Sequence, residues 1–226
     1  MSAYIELNDI CKSFSDGRDQ VRNVLDHLNL HIEKGDFVSI TGVSGSGKTT
    51  LLSVLGTLLR SDSGSYTLNG ADIYQSDRPL HEIRNQEIGF VFQDFRLLPQ
   101  LSALDNILLP VLASKSETTE KEQEYALQLM EFMGIQALKD QYPETLSGGE
   151  KTRVSICRAL IQHPSLLLAD EPTGQLDAEN TKLIADLFQQ INKEMGTTVV
   201  MVTHSAEMAN IAQKQYRLRN GQLEVC

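Results

Sequence analysis

No apolar run in this sequence approaches the roughly 18 residues that a membrane-spanning helix needs, so any membrane role must come through a partner. The opening residues, MSAYIELNDICKSF, lack the basic head and apolar middle of a secretory leader, which predicts a protein that stays in the cytosol. Cysteine is scarce. Cys11, Cys157 and Cys226 stand far apart and match no metal-binding spacing, so they read as reduced thiols in a reducing compartment. Basic residues are outnumbered by acidic ones, 20 to 30, giving a formal net charge of −10 with no long block of one sign. An acidic chain repels a phosphate backbone, which argues against general binding of nucleic acid. Repeats and low-complexity tracts are also missing.

What is there suits a soluble domain. A length of 226 residues, 41% of them hydrophobic and 22% charged, is enough for one large domain or two lobes with a real core. The first third reads as strands: YIELNDI and VLDHLNLHI alternate, SDGRDQ between them is a polar turn, and DFVSIT runs into a glycine-rich loop. KTTLLSVLGTLL then sets Leu51, Leu52, Leu55, Leu58 and Leu59 on helical spacing. SDSG and NG punctuate short strands around SYTL. The middle is mostly helical to about Pro164; there Thr119 and Glu122 have capping-box spacing, and Ala126, Leu129, Met130 and Met133 share one face. In the last third SLLLAD and TTVVMVTH read as buried strands, and TKLIADLFQQINKEMG as a helix ended by Gly196. YRLRNGQLEV reads as a hairpin turning at Asn220-Gly221. The expected fold class is α/β, with a helical insert near residues 95–163 and extra antiparallel strands on the N-terminal side.

The stretch GVSGSGKT, Gly42 to Thr49, fits G-x-x-x-x-G-K-[ST] between an expected strand and an expected helix. Along Gly42, Ser44, Gly45, Ser46 and Gly47 consecutive N–H groups can curl around phosphate oxygens, and the helix start behind them adds partial positive charge. Lys48 can reach the β- and γ-phosphates, Thr49 can ligate Mg²⁺ through its hydroxyl, and Thr50 can donate to the α-phosphate. In LLLADEP, Asp170 and Glu171 end a buried strand at the edge where α/β sheets place ligands. Alone, such a pair is as readily a helix cap. Beside a phosphate loop, Asp170 reads as a Mg²⁺ ligand and Glu171 as the general base for an attacking water.

From here the chain resembles the ATP-binding subunit of an ABC transporter, with matching motifs in family order through nearly its whole length. LSGGE resembles the family signature, Gln93 in FVFQD the Q-loop, Gly174–Asp177 the D-loop, and His204 in VMVTH the switch histidine. Phe14 stands where the family has an aromatic that stacks on adenine. The resemblance implies a P-loop NTPase (RecA-like) core with an N-terminal antiparallel β-subdomain and a helical insert. It implies one domain over residues 1–226: about 1–94 and 164–226 form the catalytic and β lobes, and about 95–163 the helical subdomain. It also implies a second copy packed head to tail, so that each ATP lies between one chain's phosphate loop and the other's Ser147, Gly148 and Gly149. Bare glycine backbone there lets N–H groups approach the γ-phosphate; a capping box alone would explain Ser147 and Glu150 but not two glycines in a row. Gln93 would touch Mg²⁺ or the lytic water, His204 would sense the γ-phosphate, and Asp177 would organise the dimer interface. His27, His31, His81 and His163 receive no role.

GFVFQDFRLLPQLSALDNILLP and EPTGQLD are similar to the branch with lipoprotein-releasing, macrolide-export, cell-division and antimicrobial-peptide-resistance ATPases. That likeness implies an integral-membrane permease with few spans, contacted through the Gln93–Pro110 region, with Phe95, Leu97, Leu98 and Pro99 foremost. The subunit would then be cytoplasmic and peripheral on the inner membrane face. Two departures are visible: Gly174-Gln175 stands where serine-alanine is commoner, and EKTRV where ERQRV is frequent. With the chain stopping at Cys226, no fused permease is expected. A translation-factor ATPase would carry two such cassettes and basic surfaces, a chromosome-maintenance head would be split by long coiled coil, and an importer subunit is disfavoured by the branch motifs. A non-catalytic module would not keep Lys48, Asp170, Glu171 and His204 together.

Overall fold

The structure, a computed structural model, describes residues 3–15, 21–115 and 117–226. The expected SDGRDQ turn lies, apart from Ser15, outside them. The chain opens with β1 (Ile5–Ser15), β2 (Val21–Ile32), β3 (Phe37–Thr41), α1 (Lys48–Leu55), β4 (Ser63–Leu68) and β5 (Ala71–Asp72). Next come α2 (Leu80–Glu87), β6 (Ile88–Val91), α3 (Ala103–Ser114), α4 (Glu120–Phe132) and α5 (Gly148–Leu160). It closes with β7 (Leu166–Asp170), α6 (Ala178–Met195), β8 (Thr198–Val202), α7 (Ala206–Asn210), β9 (Lys214–Arg219) and β10 (Gln222–Val225).

The strands form two sheets. An antiparallel sheet of four is ordered β2-β1-β4-β5, and a mixed sheet of six is ordered β10-β9-β3-β8-β7-β6. In the larger sheet all pairs are parallel except the β9–β10 hairpin. Every residue of β7 and β8 is buried, so they read as continuous apolar runs. One core packs α1 and the antiparallel sheet against one side of the larger sheet, through Leu28, Leu52, Tyr66 and Val200. A second packs α3, α4, α5 and α6 on the other side, through Ile107, Met130, Cys157 and Phe188.

Most elements fall where the sequence placed them, including the Thr119–Glu122 capping box and the hairpin at Asn220-Gly221. The helix through KTTLLSVLGTLL is shorter than expected. It ends at Leu55, Gly56 caps it, Thr57 turns left-handed at φ 53°, and Leu58 is 49% exposed. Leu58 and Leu59 therefore lie beyond the helix, despite their spacing. Three elements were not expected: α2, which buries only Ile83, the four-residue β6, and the five-residue α7.

Between β6 and α3 the chain has no regular structure, and a buried side chain organises it instead. Asn106 accepts the Leu98 N–H at 2.7 Å and donates to the carbonyls of Leu98, Leu101 and Ser102 at 2.9–3.0 Å. Asn106→Leu keeps the volume but leaves these part-buried groups without their partner. Stability should fall by about 3 kcal/mol, read from the urea midpoint at an unchanged slope.

Candidate nucleotide site

Four strands adjacent in the order β3-β8-β7-β6 end at one edge of the larger sheet. Each delivers a candidate group there: β3 the phosphate loop, β8 His204, β7 Asp170 and Glu171, and β6 Gln93. Parallel strands with crossovers over both faces leave this edge open to ligands. A cleft of about 470 Å³ lies there, lined by Phe14, Arg22, Val24, Gly42, Ser44, Gly45, Gly47, Lys48, Thr49, Thr50, Gln93, Glu171 and His204. Residues far apart in sequence are thus brought together as expected, and Phe14, 44% exposed, is among them.

The loop is shaped for an anion. Gly47 sits at φ 105°, and a Cβ there would lie 2.8 Å from Val24 Cγ1 and 2.9 Å from the Val24 carbonyl. Only glycine lets the turn pass under β2. No side chain caps α1, unlike α3, α4, α5 and α6, which Ser102, Thr119, Ser147 and Asp177 cap. The first-turn N–H groups of α1 are left for a ligand. Ser46 Oγ is buried without a protein partner. Lys48 Nζ donates to the carbonyls of Gly42 at 2.9 Å and Val43 at 3.2 Å, which keeps its charge over the loop.

The acids behind the loop differ. Asp170 is buried, and burial raises its carboxyl above the ordinary range, with the Glu171 charge adding to this. Its Oδ1 accepts the Thr49 hydroxyl at 3.4 Å. Two hard oxygen donors so placed, one on an under-compensated buried carboxylate, fit Mg²⁺. Glu171 stands at φ 46°, a conformation costly for a non-glycine residue and common at functional positions. Its Oε2 accepts the His204 amide at 3.1 Å and pairs with His204 Nδ1 at 2.7 Å. Sequence reading gave these two residues separate roles and did not couple them. It also missed Arg22, which donates to the Gly45 carbonyl at 3.0 Å from a position on β2 paired with Phe14. The only local hint was a basic residue opening an alternating strand.

Ser147, Gly148, Gly149 and Asp177 do not line this cleft. The capping box does form: the Ser147 amide and hydroxyl both donate to Glu150, at 2.7 Å, and hold its carboxyl below the ordinary range. The glycines have a second reason beyond bare backbone. A Cβ on Gly149 would lie 2.4 Å from Asn180 Oδ1, and Asn180 is tied to the Asp177 carboxylate by bonds of 2.8–3.0 Å. Gly149→Ala should push Asn180 off Asp177 and disturb the starts of α5 and α6 together. ATP turnover is expected to fall on the order of tenfold or more, with ATP affinity of the single chain unchanged, as read by titration beside steady-state kinetics.

A larger cleft of about 570 Å³ opens between α2, β6, α3 and α5, lined by Leu58, Arg84, Phe90, Phe92, Pro110 and Arg158 among others. Of the Asp94–Pro110 stretch only Pro110 lines it. Phe95, Leu97, Leu98 and Pro99 do not, and Leu97 packs onto the core instead. Elsewhere the fold gathers Cys11, Asp26 and His27, whose ligand-type atoms lie within 4.8 Å of one another. Spacing could not reveal this group, because it forms at irregular β1–β2 pairing where Asp9 and His27 turn left-handed. Its polar atoms answer one another: the His27 amide donates to Cys11 Sγ at 3.3 Å, and Nδ1 bonds Asp9 at 2.6 Å.

Known proteins agree with this architecture. The ABC transporter family model matches residues 25–174. The chain is 44% identical over 97% of its length to an uncharacterized ABC transporter ATP-binding protein, YvrO, of Bacillus subtilis, covering 95% of that protein. It is 42% identical over 95% of its length to the lipoprotein-releasing system ATP-binding protein LolD of Bdellovibrio bacteriovorus, covering 97% of it. It is 43% identical over 97% of its length to the macrolide export ATP-binding/permease protein MacB of Syntrophobacter fumaroxidans, covering 31% of that longer protein. Among solved structures, the dimeric bacterial ABC transporter cassette MJ0796 superposes with a TM-score of 0.89 at 36% identity, over 97% of this chain and 96% of that one. A dimeric post-hydrolysis state of the same cassette, bound to ADP and Pi, matches equally well with a TM-score of 0.89. A phosphate loop, two acids and a histidine gathered at one sheet edge, and a glycine-rich helix start held apart from them, thus belong to a chain that is a member of the ABC transporter family, as its ATP-binding cassette.

Proposed function

We propose that this chain is the ATP-hydrolysing engine of an export or mechanotransmission system, working as a head-to-tail pair on a membrane permease. One observation carries the reading. The cleft assembles Lys48, Thr49, Gln93, Glu171 and His204, while Ser147, Gly148 and Gly149 face elsewhere on the same chain. A second copy supplies its signature to the open cleft; that the solved relatives are dimeric supports the pairing.

In this reading Phe14 stacks on adenine, the loop N–H groups and Lys48 hold the phosphates, and Thr50 donates to the α-phosphate. Thr49 and Asp170 hold Mg²⁺, with Gln93 completing the set. When bound, that ion neutralises phosphate charge as the γ-phosphoryl leaves. Glu171 takes the proton of the attacking water. His204 orients the Glu171 carboxylate by the bond seen here and reaches the γ-phosphate. The Ser147 hydroxyl turns from Glu150 to the partner's γ-phosphate, and Asp177 secures the interface through Asn180. ATP bridges two chains and hydrolysis removes the bridge, so the closed pair is favoured only while the γ-phosphate is present. No described helix is long and apolar enough to cross a membrane. The cleft lined by Leu58, Phe90, Phe92 and Pro110, with Arg84 and Arg158 beside them, is offered to the permease. Residues 95–163 move as the helical arm, between the 1–94 and 164–226 segments.

Tagged Glu171→Gln chain, purified with ATP from gently solubilised native membranes, tests this. A few-span permease with a large outer domain is expected. A many-span permease with a solute-binding protein would move the chain to importers, and a soluble partner alone would overturn the transport reading.

A further inference from the structure

One strained stretch lies just after Gln93. Phe95 and Arg96 are consecutive non-glycine residues at φ 59° and 48°, a left-handed conformation that L side chains disfavour. Local bonds support part of the kink: Phe95 N–H donates to the Phe92 carbonyl at 3.1 Å, and Arg96 N–H to the Asp94 carbonyl at 2.6 Å. The Arg96 guanidinium lies 4.0 Å over the Phe92 ring, which stacks on Phe90. Farther along, Asn106 pins Leu98. The two carbonyls that the kink turns inward are both taken by one side chain from another element. Arg158 Nη2 donates to the Phe95 carbonyl at 2.6 Å and Nη1 to the Arg96 carbonyl at 2.5 Å. Arg158 belongs to α5, the helix that starts at Gly148.

We infer that Arg158 is a positioning residue, whose guanidinium fork holds the Phe95–Arg96 kink and so fixes the loop carrying Gln93 to the signature helix as one body. This rests on the proposed role of Gln93 at the nucleotide. The physical case is geometric. Two successive carbonyls accept from one planar fork, whereas a lysine ammonium presents its donors from a single point and cannot span both. Without the fork, the kink relaxes toward ordinary φ values and Gln93 loses its place. Burial pulls the Arg158 guanidinium down to about 10, with the Arg96 charge adding to this, yet it stays charged at neutral pH. Displacement of the α5 start is thereby passed along the helix to the loop beside the lytic water, with no contact between Ser147 and Gln93 required.

The test uses the full chain with Arg158→Lys, alone and combined with Arg96→Gly. Two readouts are taken: amide hydrogen exchange across residues 94–98, and ATP hydrolysis beside ATP affinity. Arg158→Lys should speed exchange in that stretch by about tenfold or more. It should lower kcat on the order of 10- to 100-fold, with ATP affinity held within about twofold. Adding Arg96→Gly should restore part of kcat, because glycine accepts the left-handed turn without the clamp. Unchanged exchange in Arg158→Lys, a kcat loss that parallels lost ATP affinity, or no recovery with Arg96→Gly would overturn the inference. Should the unmodified chain hydrolyse no ATP, the proposed function fails by itself, while the exchange measurement still decides the clamp.

Discussion

Glu171→Gln is expected to abolish steady ATP turnover and to leave ATP-bound dimers behind. The substitution is nearly isosteric and keeps one carbonyl oxygen to accept the His204 amide, which lies at 3.1 Å from the native carboxylate. It removes the only oxygen pair at the end of β7 that is both close to the phosphate loop and 12% exposed, open enough to take a proton from water. Asp170 cannot substitute, because it is buried and committed to Thr49. Loss of a general base costs on the order of 10²- to 10⁴-fold in rate. Binding should survive, since the phosphates are held by the loop and Lys48, so ATP stays whole and keeps its two chains together. Steady-state phosphate release and sedimentation with ATP check both halves. Undiminished hydrolysis would remove Glu171 from the reaction.

Lys48→Ala acts on the other limb and is expected to cripple ATP binding itself. The ammonium is held over the loop by the Gly42 and Val43 carbonyls at 2.9 and 3.2 Å, so it is already placed for the terminal phosphates. Truncation removes charge-assisted bonds to two phosphates, each contributing about 2 kcal/mol, and Kd for ATP should rise on the order of 100-fold or more. The fold should survive, because the first turn of α1 carries no side-chain cap to lose and the buried face, Leu51, Leu52, Val54 and Leu55, is untouched. Calorimetric titration with ATP measures the loss, and thermal unfolding of the nucleotide-free chain serves as control. Unchanged affinity would contradict the phosphate-loop role.

What could be read from sequence follows from how local each signal is. The phosphate loop, the acids ending β7 and the histidine after β8 each lie at a strand end whose apolar run is visible by itself. The α/β class needed only those runs and their order. The helix at KTTLLSVLGTLL was overextended because leucine spacing continued past Gly56, where the backbone turned and left Leu58 exposed. The α2 helix escaped notice because it buries a single side chain, and β6 because four residues cannot show a period. Pair interactions across the fold left no local mark. His204 with Glu171, Arg22 with Gly45, Gly149 against Asn180 and Arg158 on the Phe95–Arg96 carbonyls all join residues at least 20 apart in the chain. The cleft proposed for the permease is likewise built from several elements, and of the Asp94–Pro110 stretch only Pro110 lines it.

The central claim is that each active site is shared between two chains, and mixing two dead variants tests it most directly. Lys48→Ala spoils the phosphate loop and leaves the signature intact, while Ser147→Arg spoils the signature and leaves the loop intact. Neither alone should hydrolyse ATP. In a mixed dimer one site regains a sound loop from one chain and a sound signature from the other. With random pairing, an equimolar mixture should recover about a quarter of the unmodified rate. A mixture that stays as inactive as its components would contradict the shared site and with it the account of how ATP closes the pair.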